Sequence, residues 1–578
     1  MGTLLNFLKP YRKECILGPG FKLLEAILEL LLPTMMALII NRGVARYDLT
    51  YVFKAGGLML VMAVLGFGCS TVCQYYAARA SQGFGTTLRN ALFQHIASLS
   101  YAELDRFGTA SLINRLTNDL NQLQLAVAML IRLVIRAPFI CIGALVMAMC
   151  LNFKLSLVLL AATPVFAAIL YLIIRNASPL YREYQQKLDR MASILSENLA
   201  GVRVIRAFAQ NGREQKRFHN ANDELTATAI RATKIASLLN PLTAFVMNAA
   251  VIAILWAGGF QLDAGHLSQG EIIAFVNYIT QILLALIVVS NLIIIFTKAY
   301  AAAGRVSEVL SVTASIATPL QTLPVMVNPA TPAVQFRHVS FGYNTGGAMA
   351  LTDISVSIQR GETVGLIGST GSGKSTFVNL IPRFYDATEG EILINGVNVK
   401  AYPLRELRQK IGLVPQKSLL FSGTVAENIR WGNPAASDAA VVAAAQVAQA
   451  AAFIAKLPEG YHTQVARGGV NLSGGQRQRL TIARALVAQP SILILDDSSS
   501  ALDFTTDAAL RSAIKKNGAG MTTLLISQRA STIKNADRIL VFDDGQLVGV
   551  GPHHELLKNC SVYREICLSQ LAAEEVNQ

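Results

Sequence analysis

The stretch TVGLIGSTGSGKST, residues 363–376, decides the fold of the second half of the chain, because it joins an apolar strand to a helix through a glycine-rich loop. This is the P-loop pattern, in which backbone N–H groups surround phosphate, the lysine reaches the outer phosphates and the following serine binds Mg²⁺. The helix also presents its positive N-terminal end to the anion. We predict phosphate contacts from Gly368, Ser369, Thr370, Gly371, Ser372, Gly373, Lys374, Ser375 and Thr376.

A second stretch, residues 492–496, is a continuous apolar run that ends in a carboxylate, Ile-Leu-Ile-Leu-Asp496. Such runs are typical of buried strands in parallel sheets, whose carboxyl ends meet at the edge where ligands bind. The run alone is a weak signal, because hydrophobic strands often end in Asp. Since the P-loop precedes it, we predict that Asp496 completes the Mg²⁺ shell that begins with Ser375.

The first three hundred residues differ in composition from the rest. Hydrophobic residues make up 52% of the 578 residues and charged residues only 15%, against about 25% charged in an average soluble domain. A helix needs about 20 apolar residues to cross a bilayer. Six runs are that long, near 16–40, 54–77, 127–151, 155–176, 237–259 and 272–298. We predict a six-span transmembrane domain over 1–304, a linker over 305–332 that ends in proline-rich sequence, and an α/β domain over 333–578.

The formal net charge of +14 does not predict nucleic-acid binding, because Lys and Arg are scattered rather than grouped with aromatic residues on one face. Positive charge is concentrated instead in the two long connections after the second and fourth runs. Such loops stay on the cytoplasmic side of a membrane. We therefore expect an integral, multi-pass protein surrounded by membrane lipids, with both termini and the second domain in the cytoplasm.

The sequence Leu-Ser-Gly-Gly-Gln, residues 472–476, lies between the two phosphate motifs, directly before a basic helical stretch. It resembles the signature of ATP-binding cassette (ABC) proteins, and the resemblance covers essentially the whole chain. In that family the signature caps the γ-phosphate of a nucleotide held by the partner's P-loop, so Ser473, Gly474, Gly475 and Gln476 are candidate ATP contacts. A hydroxyl, two glycine amides and a helix N-terminus suit an anion. The resemblance implies ATP and Mg²⁺ as cofactors.

Other positions resemble the family's nucleotide-binding residues. Tyr343 resembles the aromatic residue that stacks on adenine, with Phe341 as the alternative. Gln416 resembles the glutamine that contacts Mg²⁺ and the attacking water, which makes it both a catalytic and a metal-binding candidate. Residues 500–503, Ser-Ala-Leu-Asp, resemble the loop that joins the two active sites of the dimer.

The first half of the chain resembles the exporter branch of the ABC family. Exporter spans extend into the cytoplasm as two intracellular loops tipped by coupling helices, expected here around 102–112 and 201–208. Importer membrane subunits are usually separate chains, so the fusion favours export. The implied fold is a membrane all-α six-helix transmembrane domain of the ABC exporter type, followed by an α/β P-loop nucleotide-binding domain.

Two positions depart from the family's catalytic pattern. Asp497 stands where a Glu ordinarily orients or deprotonates the attacking water, and Gln528 stands where the family has a switch histidine. The Asp side chain is one methylene shorter, and Gln cannot carry a positive charge. A misplaced general base forfeits much of the roughly 10²–10⁴-fold that such catalysis supplies. Together the two departures resemble the degenerate-site subunit of bacterial heterodimeric multidrug exporters.

The departures predict a partner, a second homologous half-transporter with an intact catalytic Glu and switch His. The chain's own site, with Asp497, Gln528 and Gln416 as catalytic candidates, would then bind ATP and hydrolyse it poorly. ATP hydrolysis coupled to transport would occur mainly at the composite site shared with the partner, in a bacterial cell membrane. A homodimer with two weak sites is the competing arrangement.

Four ionisable residues, Glu25, Glu29, Arg132 and Arg136, fall in or beside the spans, where charged groups are rare and indicate function. Each like-charged pair is spaced i to i+4, on one helix face. Each pair could line a substrate cavity. For the arginines, an equal alternative is that their side chains extend toward the lipid headgroups. The expected substrate is a hydrophobic or amphiphilic compound of the multidrug type. A lipid flippase or lipid exporter, and a regulatory membrane protein gated by nucleotide, are the alternative functions.

Overall fold

The structure is a computed structural model that describes residues 2–316, 331–343, 347–498, 502–518 and 520–570. It divides into two compact units. The first consists of Met1–Ala97 and Gly108–Val312, and the second of Ser98–Phe107 and Thr313–Gln578. Residues 317–330 of the predicted linker lie outside the described part of the chain.

The first half of the chain folds into long helical segments joined by short turns. They span Asn6–Val44, Leu49–Ser98, Thr109–Leu151, Phe153–Ala200, Asn211–Asp263 and Gln269–Ser311. All six are long and apolar enough to cross a membrane, which confirms the predicted six-helix domain. The second segment, of 50 residues, is about 75 Å long at 1.5 Å per residue. The hydrocarbon core of a bilayer is about 30 Å thick, so this helix exceeds it by far.

Short π-helical and 3₁₀ turns interrupt the α-helices of these segments. The 3₁₀ turn is Asn6–Tyr11, and the π-helical turns are Ile39–Val44, Arg115–Asp119 and Leu130–Val134. The α-helices are α1 Gly2–Leu5, α2 Arg12–Leu38, α3 Leu49–Ser98, α4 Tyr101–Phe107, α5 Thr109–Asn114, α6 Leu120–Met129, α7 Arg136–Leu151, α8 Phe153–Ala200, α9 Val202–Ala207, α10 Asn211–Ser237, α11 Leu239–Asp263 and α12 Gln269–Ser311. The short helix α9 lies within the second stretch where a coupling helix is expected, 201–208, and α4 overlaps the first, 102–112.

Helices α2 and α12 approach each other closely at one end of the bundle. A Cβ atom at Gly270 would lie 2.4 Å from the carbonyl oxygen of Ala37, so only glycine fits at this crossing. Asn41, which follows α2, donates its amide to the hydroxyl of Ser268 at 2.6 Å. Ser268 in turn begins α12 with a capping box. The C-terminal end of α2 is therefore packed against and hydrogen-bonded to the N-terminal start of α12.

The second unit is built on two principal β-sheets. The strands are β1 Val334–Phe341, β2 Leu351–Ile358, β3 Thr363–Gly368, β4 Glu389–Ile394, β5 Val397–Asn398, β6 Ile411–Val414, β7 Gly423–Thr424, β8 Gln464–Val465, β9 Ile492–Asp496, β10 Thr522–Ile526, β11 Arg538–Asp543 and β12 Gln546–Gly551. One sheet has the order β2-β1-β4-β5 and the other β12-β11-β3-β10-β9-β6, with β7 and β8 paired separately. In the larger sheet β11 to β6 are parallel, and β12 is antiparallel at the edge.

Helices accompany the larger sheet. They are α13 Lys374–Leu380, α14 Leu404–Gln409, α15 Val425–Arg430, α16 Asp438–Val447, α17 Ala451–Ile454, α18 Gly474–Leu486, α19 Phe504–Asn517, α20 Ala530–Ile533, α21 His553–Asn559 and α22 Ser561–Gln570. Strands β9 and β10 are buried at every position, as expected for parallel strands covered on both faces. The carboxyl ends of β3, β9 and β10 meet at one edge of the sheet. The predicted α/β P-loop domain is confirmed.

Helix α4 belongs to this second unit although it comes from the first third of the chain. The Tyr101 ring lies 4.5 Å from the ring of Phe384, centroid to centroid. The hydroxyl of Tyr385 donates to the Asp105 carboxylate at 2.8 Å. Burial, followed by the nearby carboxylate, raises the pKa of Tyr385 well above its usual range. The phenol therefore stays protonated and keeps donating this hydrogen bond.

Candidate nucleotide-binding site

The carboxyl ends of the central parallel strands surround a cavity of about 190 Å³. Its lining includes residues 370–376 of the predicted P-loop together with Asp496, at the end of β9. Gln416, Asp497 and Gln528 also line it. Ligands bind at this edge of open α/β sheets. The structure thus brings the P-loop and the three catalytic candidates into one cavity.

Glycines give the loop its path between β3 and α13. A Cβ atom at Gly368, where φ is +154°, would lie 2.1 Å from the carbonyl oxygen of Phe542. Gly373 adopts a left-handed conformation with φ of +97° as the N-cap of α13, and a Cβ atom there would lie 2.8 Å from the Ala350 carbonyl oxygen. Both positions exclude a side chain, which keeps the loop backbone close to the neighbouring strands.

Lys374 is held over the loop by three hydrogen bonds. Its ammonium donates to the carbonyl oxygens of Gly368 at 2.9 Å and Ser369 at 2.6 Å, and to the Ser372 hydroxyl at 3.1 Å. Burial lowers the pKa of Lys374, and the carboxylates of Asp496 and Asp497 oppose that shift. The cation is therefore centred in the loop and faces two acidic groups.

Ser375 and Asp496 form the pair of oxygens best suited to a divalent cation. The hydroxyl of Ser375 donates to the Asp496 carboxylate at 3.4 Å. Burial raises the pKa of Asp496, while the bond from Ser375 lowers it. Over the described residues, no cluster of three or more His, Cys, Asp or Glu side chains is placed to hold a metal. A cation here would need further ligands from phosphate and water, as Mg²⁺ prefers.

Asp497 follows directly in a strained left-handed conformation, with φ of +46°. Its backbone N–H donates to the Ile526 carbonyl at 3.0 Å. The Gln416 amide donates to the Asp497 carboxylate at 3.5 Å, the long limit of a hydrogen bond. Burial raises the pKa of Asp497, and Gln416, Arg529 and Lys374 oppose the shift. The hydrogen bond from its backbone N–H to β10 therefore restricts where this carboxylate can lie.

The two aromatic candidates for adenine stacking differ in exposure. Phe341 is 4% exposed and Tyr343 is 50% exposed. The Tyr343 hydroxyl is 3.0 Å from the hydroxyl of Thr376 in α13, and its ring meets those of Phe341 and Tyr385 edge to face. Tyr343 is thus the more exposed of the two rings, and its hydroxyl contacts the helix that follows the P-loop.

The signature residues lie at the start of α18 rather than in the cavity lining. Ser473 accepts from the backbone N–H of Gln476 at 3.3 Å, and the Gln476 side chain accepts from the Ser473 N–H at 2.9 Å. This capping box leaves Ser473 and Gly474 exposed. Of the predicted loop between active sites, Ser500 and Ala501 lie outside the described residues, and Asp503 caps α19.

Comparison with known proteins agrees with this geometry. Residues 16–286 match the family model of the ABC transporter transmembrane region, and residues 351–500 match the model described as ABC transporter. YfiB of Bacillus subtilis, an uncharacterized ABC transporter ATP-binding protein, is 39% identical over 99% of both chains. The chain belongs to the ABC transporter family.

Two further relatives place the transporter within that family. A fatty acid ABC transporter ATP-binding/permease protein of Mycobacterium bovis is 34% identical over 82% of this transporter and 74% of its own length. The structure of a bacterial Atm1-family ABC exporter with ATP bound matches with a TM-score of 0.77 at 26% identity, over 99% of both chains. The transporter is therefore a multi-pass membrane protein with the ABC exporter fold.

The structure pairs the transporter's intramembrane charges between helices as well as along them. Arg136 of α7 contacts the Glu29 carboxylate of α2 at 2.6 Å. Glu25 contacts Lys22 at 2.6 Å, one turn earlier in α2. Lys22, which sequence reasoning missed, is 6% exposed. Its position, i−3 from an acidic residue in an apolar span, is the signal that could have identified it.

Sequence reasoning also missed Tyr385 and its contact with Asp105. Tyr385 lies 5.3 Å from Tyr343, centroid to centroid, so it touches both the candidate adenine-stacking residue and helix α4. No spacing rule connects positions 105 and 385, because their contact depends on how the transporter folds.

Proposed function

We propose that the transporter exports hydrophobic or amphiphilic compounds of the multidrug type, driven by ATP, as one half of a heterodimer. Its own P-loop site binds ATP and hydrolyses it poorly, and a homologous half-transporter with an intact catalytic Glu and switch His completes the pair. The observation that carries the proposal is that Asp497 and Gln528 line the same cavity as Lys374. Membership of the ABC family supports ATP-driven transport, and the ABC exporter fold supports export.

In this proposal the loop residues hold the nucleotide phosphates. Backbone N–H groups of 368–376 surround them, and the Lys374 ammonium leaves its carbonyl partners for the outer phosphates. The Ser375 hydroxyl and the Asp496 carboxylate, 3.4 Å apart, are the protein ligands for Mg²⁺, with Gln416 close by. Bound Mg²⁺ neutralises the charge that develops on the phosphates. Tyr343 stacks on the adenine with its exposed face.

The short reach of Asp497 supports poor hydrolysis. Its backbone is tied to β10 through the Ile526 carbonyl, so the missing methylene, about 1.5 Å of chain, cannot be recovered by a small shift. A misplacement of about 1 Å can cost 10²-fold in rate. Gln528 is exposed at the cavity and can only hydrogen-bond where a histidine would also bring charge. In this proposal Asp497 and Gln528, each less suited to catalysis than the family's Glu and His, both act on the γ-phosphate.

The intact signature supports a composite site with the partner. Ser473 and Gly474 are exposed at the start of α18 and lie outside the cavity of their own chain. In this proposal they cap the γ-phosphate of a nucleotide on the partner's P-loop. ATP binding then closes the two nucleotide-binding domains on the cytoplasmic side of a bacterial membrane, the coupling helices move the spans, and the substrate site opens outward. Hydrolysis at the partner's site resets the pair.

A lipid exporter or flippase is the second candidate function. It is favoured by the relative named as a fatty acid ABC transporter, which is 34% identical over 82% of this chain. The site chemistry would be the same, and only the transported molecule would differ. A homodimer with two weak sites, and a regulatory membrane protein gated by nucleotide, are the arrangements that the following experiment separates from the proposal.

ATPase activity of the purified complex tests the asymmetry directly. Asp497→Asn is expected to lower turnover by less than about twofold, whereas Glu→Gln at the partner's catalytic position is expected to lower it by about 10²-fold or more, because that base supplies most of the general-base catalysis. Equal loss from both changes would refute the degenerate site. A chain that purifies only with itself and turns over without a partner would refute the heterodimer.

Removal of the Tyr343 ring is expected to weaken nucleotide binding at this site by about tenfold. Stacking of a base on an aromatic ring contributes about 1–3 kcal/mol. Tyr343→Phe is the matched control, because it keeps the ring and removes only the hydroxyl contact with Thr376. Photolabelling with azido-ATP, quantified separately for each chain, measures the affinity. If Tyr343→Phe and Tyr343→Ala lose affinity equally, the ring does not stack on adenine.

A further inference from the structure

A cluster of charged and amide side chains lies inside the apolar helices of the first unit, and no hydrolytic role explains it. Lys22 and Glu25 of α2 form one ion pair, and its lysine also donates to the Ser70 hydroxyl of α3 at 3.4 Å. Arg136 and Glu29 form a second pair at 2.6 Å. Charged groups inside membrane-spanning helices are costly and mark substrate sites or pathways.

The charges of this cluster do not balance. Lys22, Arg132 and Arg136 carry three positive charges, and Glu25 and Glu29 carry two negative charges. Each glutamate is already paired, with Lys22 and Arg136 respectively. Among the residues that the structure describes, no carboxylate oxygen lies within the 4.0 Å ion-pair distance of Arg132. One positive charge therefore has no counter-charge.

Arg132 lies close to the first pair. A Cβ atom at Gly18, one turn before Lys22 in α2, would lie 2.6 Å from the side chain of Ile131, the neighbour of Arg132. Arg132 occupies the π-helical turn Leu130–Val134, a type of turn that is frequent at functional sites. Arg132 as a whole residue is half-buried, so part of its side chain can still be reached by a ligand.

Hydrogen-bonding capacity at the cluster is also unused. The buried Nε atoms of Arg132 and Arg136 and the buried Oε1 atom of Gln281 have no partner among the described residues. Gln281 is joined to the cluster through its amide, which donates to the Glu29 carbonyl at 3.4 Å. Buried polar groups are almost always satisfied in native proteins. Two unused donors and one net positive charge suit an oxyanion.

We propose that Arg132, flanked by the Lys22–Glu25 and Arg136–Glu29 pairs, binds the single negatively charged oxyanion head of an amphiphilic substrate. This inference rests on the proposed export of amphiphilic compounds and names their charge class. A guanidinium binds carboxylate and phosphate oxygens through charge-assisted hydrogen bonds. Because the surrounding helices are apolar enough to cross a membrane, an anion carried on an apolar chain reaches the cluster from the lipid more readily than a free hydrated anion.

Binding of matched sixteen-carbon amphiphiles to the purified transporter tests this. The probes are tritiated hexadecanoate, with hexadecyl phosphate, hexadecanol and inorganic phosphate as competitors. Wild-type protein is expected to bind hexadecanoate at least about tenfold more tightly than hexadecanol, since one charge-assisted hydrogen bond is worth roughly ten- to a hundredfold. Competition by inorganic phosphate as effective as that of hexadecyl phosphate would show a free-anion site and overturn the proposal.

Substitutions separate charge recognition from a structural role. Arg132→Gln is expected to remove the preference for hexadecanoate while changing hexadecanol binding by less than about twofold, and Arg132→Lys should keep most of the preference. Glu25→Gln added to Arg132→Gln frees Lys22 from its partner, so we expect part of the preference to return. Lys154→Gln, at an exposed cation in the first turn of α8, is the matched control and should change nothing.

Each outcome decides the proposal. Equal loss of acid and alcohol binding in Arg132→Gln, or no loss of either, overturns it. If Arg132→Gln does not fold, Glu25→Gln alone must tighten hexadecanoate binding, and unchanged binding overturns the inference. ATP-dependent efflux of a neutral hydrophobic dye by wild-type protein, without a preference for anions, would leave the proposed function standing and remove only the charge class. If wild-type protein exports neither dye nor acid, the proposed function fails, and the binding preference alone decides the inference.

Discussion

Ser473→Ala in this chain is expected to lower the ATPase activity of the assembled transporter by about 10²-fold. In the proposed heterodimer this hydroxyl caps the γ-phosphate at the competent site, which is built on the partner's P-loop. Loss of one donor aimed at developing charge costs about 10²–10³-fold in rate. The expected result is therefore opposite to that for Asp497→Asn: one chain tolerates a change in its own catalytic residue and fails when its signature is altered.

Ser437→Ala is the matched control for this prediction. Ser437 and Ser473 are N-caps with the same backbone angles, φ of −67° and ψ of 162°, and each accepts a hydrogen bond from the N–H three residues on. Either substitution is therefore expected to lower the stability of its domain by about 1 kcal/mol through loss of the helix N-cap. Only Ser473→Ala should stop turnover. Similar activities for the two variants would show that Ser473 acts as a cap alone and would contradict the composite site.

Gly368→Ala is expected to destabilise the nucleotide-binding domain by about 3 kcal/mol or more and to abolish nucleotide binding at this P-loop. The new Cβ atom would lie 2.1 Å from the Phe542 carbonyl oxygen and 2.7 Å from the Ser372 hydroxyl. The backbone of β11 and the side chain of Ser372 would both have to move, a mechanism that belongs to the severe end of single substitutions. Thermal inactivation and photolabelling of this chain measure the two effects.

Gly371→Ala provides the comparison for that change. Gly371 also has a positive φ, +87°, yet a Cβ atom there meets no other atom within 4 Å. Its substitution costs only the conformational strain of a left-handed residue, about 1–2 kcal/mol. The two alanine variants thus differ in the collision at strand β11. If they are equally stable, backbone crowding at Gly368 is not what requires glycine.

Local sequence patterns were sufficient to predict the parts of the protein that consist of residues adjacent in the chain. A P-loop consists of consecutive backbone groups that can bind phosphate, so the candidate site could be recognised from residues 363–376 alone. The six apolar runs likewise predicted the six membrane-spanning helices. Asp496 was predicted from the apolar run that it ends, and Gln416, Asp497 and Gln528 from the resemblance to the ABC family; the structure places all four at the carboxyl ends of adjacent parallel strands. Parallel topology brings the ends of such strands to one edge.

The remaining contacts could not be predicted because they depend on helix rotation and on distant parts of the chain. Glu29 and Arg136 are 107 residues apart, and the i to i+4 spacing of each like-charged pair says nothing about its partner on another helix. Lys22 was overlooked because a single cation near the end of a span resembles an interfacial residue. Roles in catalysis and in substrate binding remain predictions for every one of these residues.

Helix α4 has a consequence for the order in which the protein is made. The nucleotide-binding unit is assembled from Ser98–Phe107 and from Thr313 onward, so its first piece leaves the ribosome about two hundred residues before the second begins. At 5–20 residues per second this delay is on the order of 10–40 s. During that interval Tyr101 and Asp105 have been synthesised, but their contact partners Phe384 and Tyr385 have not. The unit that contains the P-loop can be completed only after all six apolar helices have been synthesised, so the nucleotide-binding unit finishes folding later than the synthesis of the membrane domain.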